Sequence, residues 1–209
     1  GFKSGNVDYQ SHRNRYGDVD WWDGLEMKNM PGYTTTLLTT LSEDYIKENK
    51  DKPFCLYIAH AAPHSPMQGP NEKAIRTEAT LEGDKNSDRP NKEIYKDMVE
   101  ELDWSVGRIL ETLKKYKLDK NTFVVFFSDN GPVINNGGST GGYRGAKGAP
   151  WEGGHRVPGI CYMPGTVKGG TMCKQTVMSF DLFPTMLDMA NIHYDDSKKK
   201  LDGASLVPL

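Results

Sequence analysis

The chain has 209 residues, enough for one substantial core and within the usual single-domain range. Its 26 Lys and Arg against 28 Asp and Glu leave a net charge of −2, which argues for neither nucleic acid nor a membrane surface as a partner. No apolar run is long enough to cross a bilayer, and no basic stretch followed by an apolar one opens the chain.

Residues 1–32 are rich in Gly, Asp and aromatics without a period, which predicts irregular loop. Trp21 and Trp22 either stack on a ring of the ligand or anchor the loop on the core, and His12 is equally open. From Tyr33 to Lys50, Leu37, Leu38, Leu41, Tyr45 and Ile46 recur at helical spacing, with Thr34 to Thr36 as capping candidates. Lys50-Asp51-Lys52-Pro53 stops that helix. Phe54 to His60 (FCLYIAH) then reads as a buried strand followed by His64, a histidine held between prolines that fix φ. Residues 67–90 are polar and turn-rich, with one short helical turn at Ala74 and Ile75.

Asn91 opens the longest periodic segment. Ile94, Met98, Leu102, Val106, Ile109 and Leu113 mark one face of a helix of about seven turns, and Asp103 lies beside that stripe. Thr122 to Phe127 is a run of β-branched and aromatic residues, apolar on both faces as a buried parallel strand is. It delivers Asp129 and Asn130 at its carboxyl end, where open α/β sheets place ligands, and two adjacent hard oxygen donors suit Ca²⁺ or Mg²⁺. A loop with glycines at 137, 138, 141, 142, 145 and 148 follows. Such a backbone approaches an anion closely and offers it N–H groups, and Arg144 and Lys147 are cations of the kind that hold a tetrahedral oxyanion.

Val157 to Met163 is the next apolar run, and Thr176 to Ser179 a short strand candidate. Phe180 to Ala190 forms a helix that tolerates Pro184 near its start. Ser197 to Lys200 is a solvated charged turn. Cys55, Cys161 and Cys173 have no zinc-like spacing, and the expectation is buried thiols. The alternation of strands and helices predicts a doubly wound, mostly parallel α/β layer fold.

SDNGP followed by GGYRGAKGAPWEGGHRVP resembles the sulfatase family of the alkaline-phosphatase-like superfamily, as do Gly-x-x-Asp-Tyr near the start, Ala-Pro-His-x-Pro at 62–66 and Asp-Leu-Phe-Pro-Thr at 181–185. The resemblance implies that Asp129 and Asn130 are metal ligands and that Lys147 binds the sulfate. It implies that His64 contacts the ester and assists proton transfer to the leaving oxygen, with Arg144 either a further substrate-binding candidate or a brace for the loop. It implies Ca²⁺, with Mg²⁺ as the alternative, a sulfated small molecule or glycan as substrate, and a periplasmic, lysosomal or secreted location. The family nucleophile is a formylglycine made within Cys/Ser-x-Pro/Ala-x-Arg, and no cysteine or serine of this chain begins that motif. An early Asp-Asp pair and a Gly-Lys-x-His segment are missing too. The resemblance therefore implies that residues 1–209 are the later part of a catalytic domain, with formylglycine and a smaller carboxyl-terminal domain encoded outside them. A phosphate or phosphonate ester hydrolase of the same superfamily, and a non-catalytic anion-binding remnant, are the alternatives.

Overall fold

The computed structural model describes residues 1–77, 87–197 and 199–209. Parts of the turn-rich segment 67–90 and of the charged turn at Ser197 to Lys200 lie outside the described residues. The chain divides into two compact units, Gly1–Val167 and Lys168–Leu209.

In the first unit, helix α1 (Thr34–Asn49) packs along helix α2 (Asn91–Lys115). The apolar stripe of α2 is the expected one, with Ile94, Met98, Ile109 and Leu113 buried and Leu102 and Val106 half-buried. Helix α1 differs from expectation. It buries Thr34, Thr35, Thr39, Ser42 and Ile46, while Leu41 is exposed. Hydroxyls can occupy a helix seam because their own helix satisfies them. Thr39 Oγ1 lies 2.8 Å from the Thr35 carbonyl and Ser42 Oγ 2.7 Å from that of Leu38, and Thr39 also meets Ser105 Oγ of α2 at 2.6 Å. The helix starts on Tyr33 without a side-chain cap, and the Thr34 N–H and hydroxyl both donate to the Tyr9 carbonyl.

Two apolar clusters result. Tyr9, Tyr33, Ala62, Met67, Ile94 and Met98 pack at one end, and Ile46, Ile109 and Leu113 at the other. Phe54, Leu56 and Ile58 rest on the second cluster. This segment is extended, yet it belongs to neither of the sheets formed by the described residues. Burial alternates along it, and Cys55 and Tyr57 face solvent, Tyr57 at 80 % exposure. The expected strand buried on both faces is thus a one-sided one, because only the helix layer covers it.

Strand β3 (Val124–Phe127) pairs with β4 (Gly159–Tyr162), Val124 opposite Tyr162. The pairing is antiparallel, so the expected mostly parallel arrangement is not seen among the described residues. The connection from residue 128 to 158 folds back as a loop and supplies no crossover helix of the length a parallel return requires. A two-residue hairpin, β1 (Trp22–Asp23) with β2 (Glu26–Met27), closes the amino-terminal loop. All three cysteines are exposed, against the expectation of buried thiols: Cys55 lies on the open face of its segment and Cys161 on β4, whose residues are all exposed.

The amino-terminal loop is held by buried polar groups. Asp8 is inaccessible to solvent, and its carboxylate accepts four backbone N–H groups, from Gln10, Ser11, Ile75 and Arg76, at 2.7–2.9 Å. Gln68 is likewise buried, accepting from the Tyr9 N–H and donating to the Lys73 carbonyl. Trp21 is buried against His12 and Phe2, so it anchors the loop. Trp22 lies under the Lys3 ammonium and donates to Asp20.

In the second unit a short 3₁₀ turn, Ser179–Asp181, leads into α4 (Leu182–Met189) in place of the expected strand at Thr176 to Ser179. Asp181 accepts from the N–H groups of Met178 and Ala204, so its carboxylate ties the helix start to the carboxyl end of the chain.

Burial pushes His60 down to about 4, because charging an imidazole under the helix layer forfeits its hydration; its Nε2 contacts only Ser105 Oγ, at 3.4 Å. The unfolded chain, with an ordinary histidine near 6.5, binds the proton first as pH falls. His60 therefore adds stability that is complete above about pH 6.5 and declines toward pH 4, by up to about 3 kcal/mol. Denaturant midpoints measured from pH 7 to pH 4 are expected to fall for the wild type and to fall less steeply for His60→Gln.

Candidate active site

Asp129 and Asn130 sit immediately beyond the carboxyl end of β3, as the sequence indicates. Asn130 Nδ2 donates to Asp129 Oδ1 at 2.9 Å, and Ser128 Oγ donates to the Asn130 carbonyl at 3.0 Å. The amide nitrogen is thereby engaged, which leaves Asn130 Oδ1 and Asp129 Oδ2 as two neighbouring hard oxygen donors. In kind they fit a divalent cation such as Ca²⁺. In number they are two of the six to eight oxygens such an ion takes, and no cluster of three or more His, Cys, Asp or Glu groups able to hold a metal occurs among the described residues.

The glycine-rich loop is fixed to this strand end by backbone contacts. Gly131 N–H donates to the Gly154 carbonyl at 2.8 Å, Lys147 N–H to that of Pro132 at 3.0 Å, and Gly153 N–H to that of Arg144 at 2.8 Å. A side chain at Gly131, Gly153 or Gly154 would overlap the carbonyl oxygen of Gly153, Gly145 or Ala149 respectively. These glycines are required because backbone packs directly on backbone. Gly145 and Gly148 serve a second need, adopting φ of +84° and +83° to turn the loop back on itself. The N–H groups of Lys147, Gly153 and Gly154 are consumed inside the loop, so the cradle of exposed N–H groups expected from composition is not formed by those residues.

Short helix α3 (Glu152–His155) closes the loop. The two cations expected there differ in setting. The Arg144 guanidinium lies 3.7 Å from the centre of the Trp151 ring, a cation–π contact that braces the loop. Lys147 is exposed, makes no ion pair with any described residue, and lines a cavity of about 380 Å³ with Pro132, Val133, Ile134, Asn135 and Ala146. Its main-chain tie fixes the Lys147 backbone to Pro132, two residues beyond Asn130 in the chain.

His64 follows the extended segment 54–60 and is half-buried. Its Nδ1 lies 2.7 Å from the Ser65 carbonyl, its N–H donates to the Ala61 carbonyl, and its own carbonyl accepts from the Tyr9 hydroxyl at 2.9 Å. A carbonyl only accepts, so Nδ1 carries the hydrogen and Nε2 is the nitrogen left for chemistry. His64 lines a second cavity, of about 270 Å³, with Ser4, Gly5, Asn6, Asn14, Arg15 and Tyr16. The structure thus groups Asp129, Asn130 and Lys147 on one scaffold and seats His64 in a separate recess with the amino-terminal loop. Asp8, the aspartate of Gly-x-x-Asp-Tyr, and Gln68 set that loop, and the sequence assigns neither a role because partners some 60 positions away complete their hydrogen bonds.

The layered helices over the strand end, with its glycine-rich loop, define a partial domain of the alkaline-phosphatase-like α/β fold. The chain belongs to the sulfatase family, whose model matches residues 2–192. It is 34% identical over 183 residues to steryl-sulfatase from Rattus norvegicus, covering 84% of this chain and 29% of that protein. It is 36% identical over 180 residues to N-acetylgalactosamine-6-sulfatase from Mus musculus, covering 83% of this chain and 32% of the relative. Among solved structures it resembles Ps i-CgsB in complex with k-i-k-neocarrahexaose, with a TM-score of 0.83 and 27% identity, covering 100% of this chain and 48% of that one. The chain therefore spans about a third of the length of these curated relatives. No helix among the described residues is long and apolar enough to cross a membrane.

If backbone contact at Gly154 holds the loop to β3, then Gly154→Ala is expected to destabilise the chain by about 1–3 kcal/mol and to increase hydrogen exchange at the Gly131 and Gly153 amides. Gly159→Ala is the control, since no atom lies within 4 Å of a side chain there, and its midpoint is expected to stay within about 0.5 kcal/mol of wild type.

Proposed function

We propose that the whole protein hydrolyses a sulfate ester and that this chain supplies part of the metal site, the sulfate-binding cation and the leaving-group histidine. The supporting observation is the coincidence of the family match with one locked scaffold: Asp129 and Asn130 end β3, and Lys147 is tied by its backbone to Pro132 just beyond them. On this reading residues 1–209 are a partial catalytic domain, and the formylglycine nucleophile and a smaller carboxyl-terminal domain lie outside them.

Asp129 and Asn130 hold calcium rather than magnesium, since a carboxylate and an amide oxygen among several protein ligands suit the larger ion. When bound, that ion supplies Lewis-acid stabilisation of charge on a sulfate oxygen. Lys147, with no competing carboxylate partner among the described residues, offsets charge on the non-bridging oxygens as the S–O bond lengthens. His64 donates a proton from Nε2 to the departing alcohol oxygen, while its Nδ1–H is held by the Ser65 carbonyl so that the ring keeps its orientation. Arg144 shapes the substrate side of the loop from its place on Trp151. The substrate is a sulfated small molecule or glycan, and the protein acts in a periplasmic, lysosomal or extracellular setting.

In the full-length protein Lys147→Ala is expected to lower kcat/KM for a sulfate ester by about 10²-fold or more, with a denaturation midpoint within about 0.5 kcal/mol of wild type. An unchanged rate would sink the assignment, and faster turnover of the matched phosphate ester would favour a phosphate hydrolase instead.

A separate expectation concerns the 209-residue chain alone. With two metal donors and no nucleophile motif, it should show no sulfatase activity with or without added Ca²⁺. Metal-dependent hydrolysis by the purified chain would overturn the division of the site proposed here.

A further inference from the structure

The recess beside His64 has a composition of its own. Asn6, Asn14, Arg15 and Tyr16 line it together with Ser4 and Gly5. Its framework is fixed from several sides. Asn6 is gripped by Arg76, whose Nη1 donates to the Asn6 carbonyl at 2.9 Å and whose Nη2 donates to Asn6 Oδ1. Asn14 Oδ1 accepts from the N–H groups of Tyr16, at 2.8 Å, and Asp18, at 3.2 Å. The Asp20 carboxylate accepts from the N–H groups of Lys3 and Ser4, and the Tyr9 hydroxyl ties the loop to the His64 carbonyl.

Asn14 Oδ1 is filled by two loop N–H groups and Asn6 Oδ1 is held by Arg76, so the amide N–H groups are the main polar atoms these side chains have left to offer a ligand. Arg15 adds a guanidinium that is exposed and makes no ion pair or hydrogen bond with any described residue, Asp18 of the same loop included. The recess is therefore rich in donors and positively charged, and it suits a ligand rich in acceptors and negatively charged. Tyr16 stands beside these donors at 73% exposure. An aromatic face left in water at the edge of a polar recess is a platform for a flat ligand surface, such as the C–H face of a pyranose ring.

We propose that this recess is a specificity subsite for an anionic sugar: Tyr16 stacks on a pyranose ring of the alcohol side of the ester while Arg15, with the amides of Asn6 and Asn14, reads a second oxyanion on that ring. This rests on the sulfatase reading above for the place of His64 beside the leaving group. It narrows the substrate from sulfate esters in general to acidic glycans, those carrying a carboxylate or a further sulfate next to the scissile ester. The two anions share the chemistry that Arg15 recognises, a planar or tetrahedral oxyanion able to take two N–H donors at once.

Two measurements on the full-length protein separate this inference from the one beneath it. Hydrolysis of 4-nitrophenyl sulfate by the wild type reports on the sulfatase reading alone, because that ester carries no sugar and no second anion. Calorimetric binding then uses three disaccharides of one linkage: one with a uronate, one with a non-hydrolysable sulfonate in place of a second sulfate, and one neutral. The expected result is binding of both anionic sugars at least tenfold tighter than the neutral one. Arg15→Ala should reduce that preference to less than twofold, Arg15→Lys should retain part of it, and Tyr16→Ala should weaken all three sugars by a similar factor. If only the uronate or only the sulfonate is preferred, the subsite holds and its anion is identified. Equal binding of neutral and anionic sugars by the wild type, no sugar binding, or an anion preference that survives Arg15→Ala overturns it, whatever the aryl sulfate shows.

Discussion

The contact between the backbone at Gly131 and the backbone at Gly153 and Gly154 is the constraint on which the candidate site depends. A peptide plane has a fixed shape and its polar groups must be paired when buried, so two backbones can touch only where side chains are absent and hydrogen bonds are supplied. Gly131 N–H to the Gly154 carbonyl is one such bond, and Lys147 N–H to the Pro132 carbonyl continues the seam. The seam converts a long connection between two antiparallel strands into a rigid flap over the end of β3. Without it, Lys147 would be a mobile surface cation with no defined relation to Asp129. With it, an ammonium and two oxygen donors are presented from one scaffold, which is how a site gains geometry before its ligand arrives.

The recess beside His64 is set by different physics. Asp8 and Gln68 are buried polar groups whose hydrogen-bonding capacity is met partly by nearby backbone and partly by backbone some 60 positions away, so each fixes two loops against one another. A buried carboxylate is costly unless its oxygens are fully used, so the four N–H groups around Asp8 make the fold of this region close to all-or-none. The consequence is a firm floor under Tyr9, and through its hydroxyl under His64, while Arg15 and Tyr16 at the rim remain solvated. On the proposed reading this held floor and solvated rim would let the loop keep His64 steady while its neighbours select the substrate.

How much of this was legible depended on whether the signal was local. Helix α2 announced itself through Ile94, Met98, Ile109 and Leu113, because a seven-turn apolar stripe has few other meanings. Asp129, Asn130, Lys147 and His64 were visible as motif positions, and the structure shows what surrounds each of them. Helix α1 misled in detail: its leucines gave the right period, but the face turned inward is the hydroxyl one, since Thr39 and Ser42 satisfy themselves on their own helix and pack closely against Ser105. The segment Phe54 to His60 misled for the opposite reason. Its apolar residues on both faces predict burial on both sides, whereas the described chain covers one side only and leaves Tyr57 and Cys55 in solvent. The composition of the glycine loop predicts an anion cradle, whereas Gly131, Gly153 and Gly154 answer to a packing contact that no local pattern reveals.

Charge shows why the proposed division of labour is coherent. Asp129 carries one negative charge, which by itself balances half of a divalent ion, and Asn130 adds a dipole but no charge. Lys147 brings a positive charge to the same scaffold, which opposes cation binding unless a dianionic or monoanionic ligand lies between them. On the proposed reading an oxyanion would reconcile the three groups: the metal donors would draw a cation to one side of it and the ammonium would approach from the other. Arg15 extends the same logic outward. An exposed guanidinium on the recess that His64 lines calls for an anion of its own, so on the proposed reading one scaffold would answer the sulfate and the rim a second charge on the sugar.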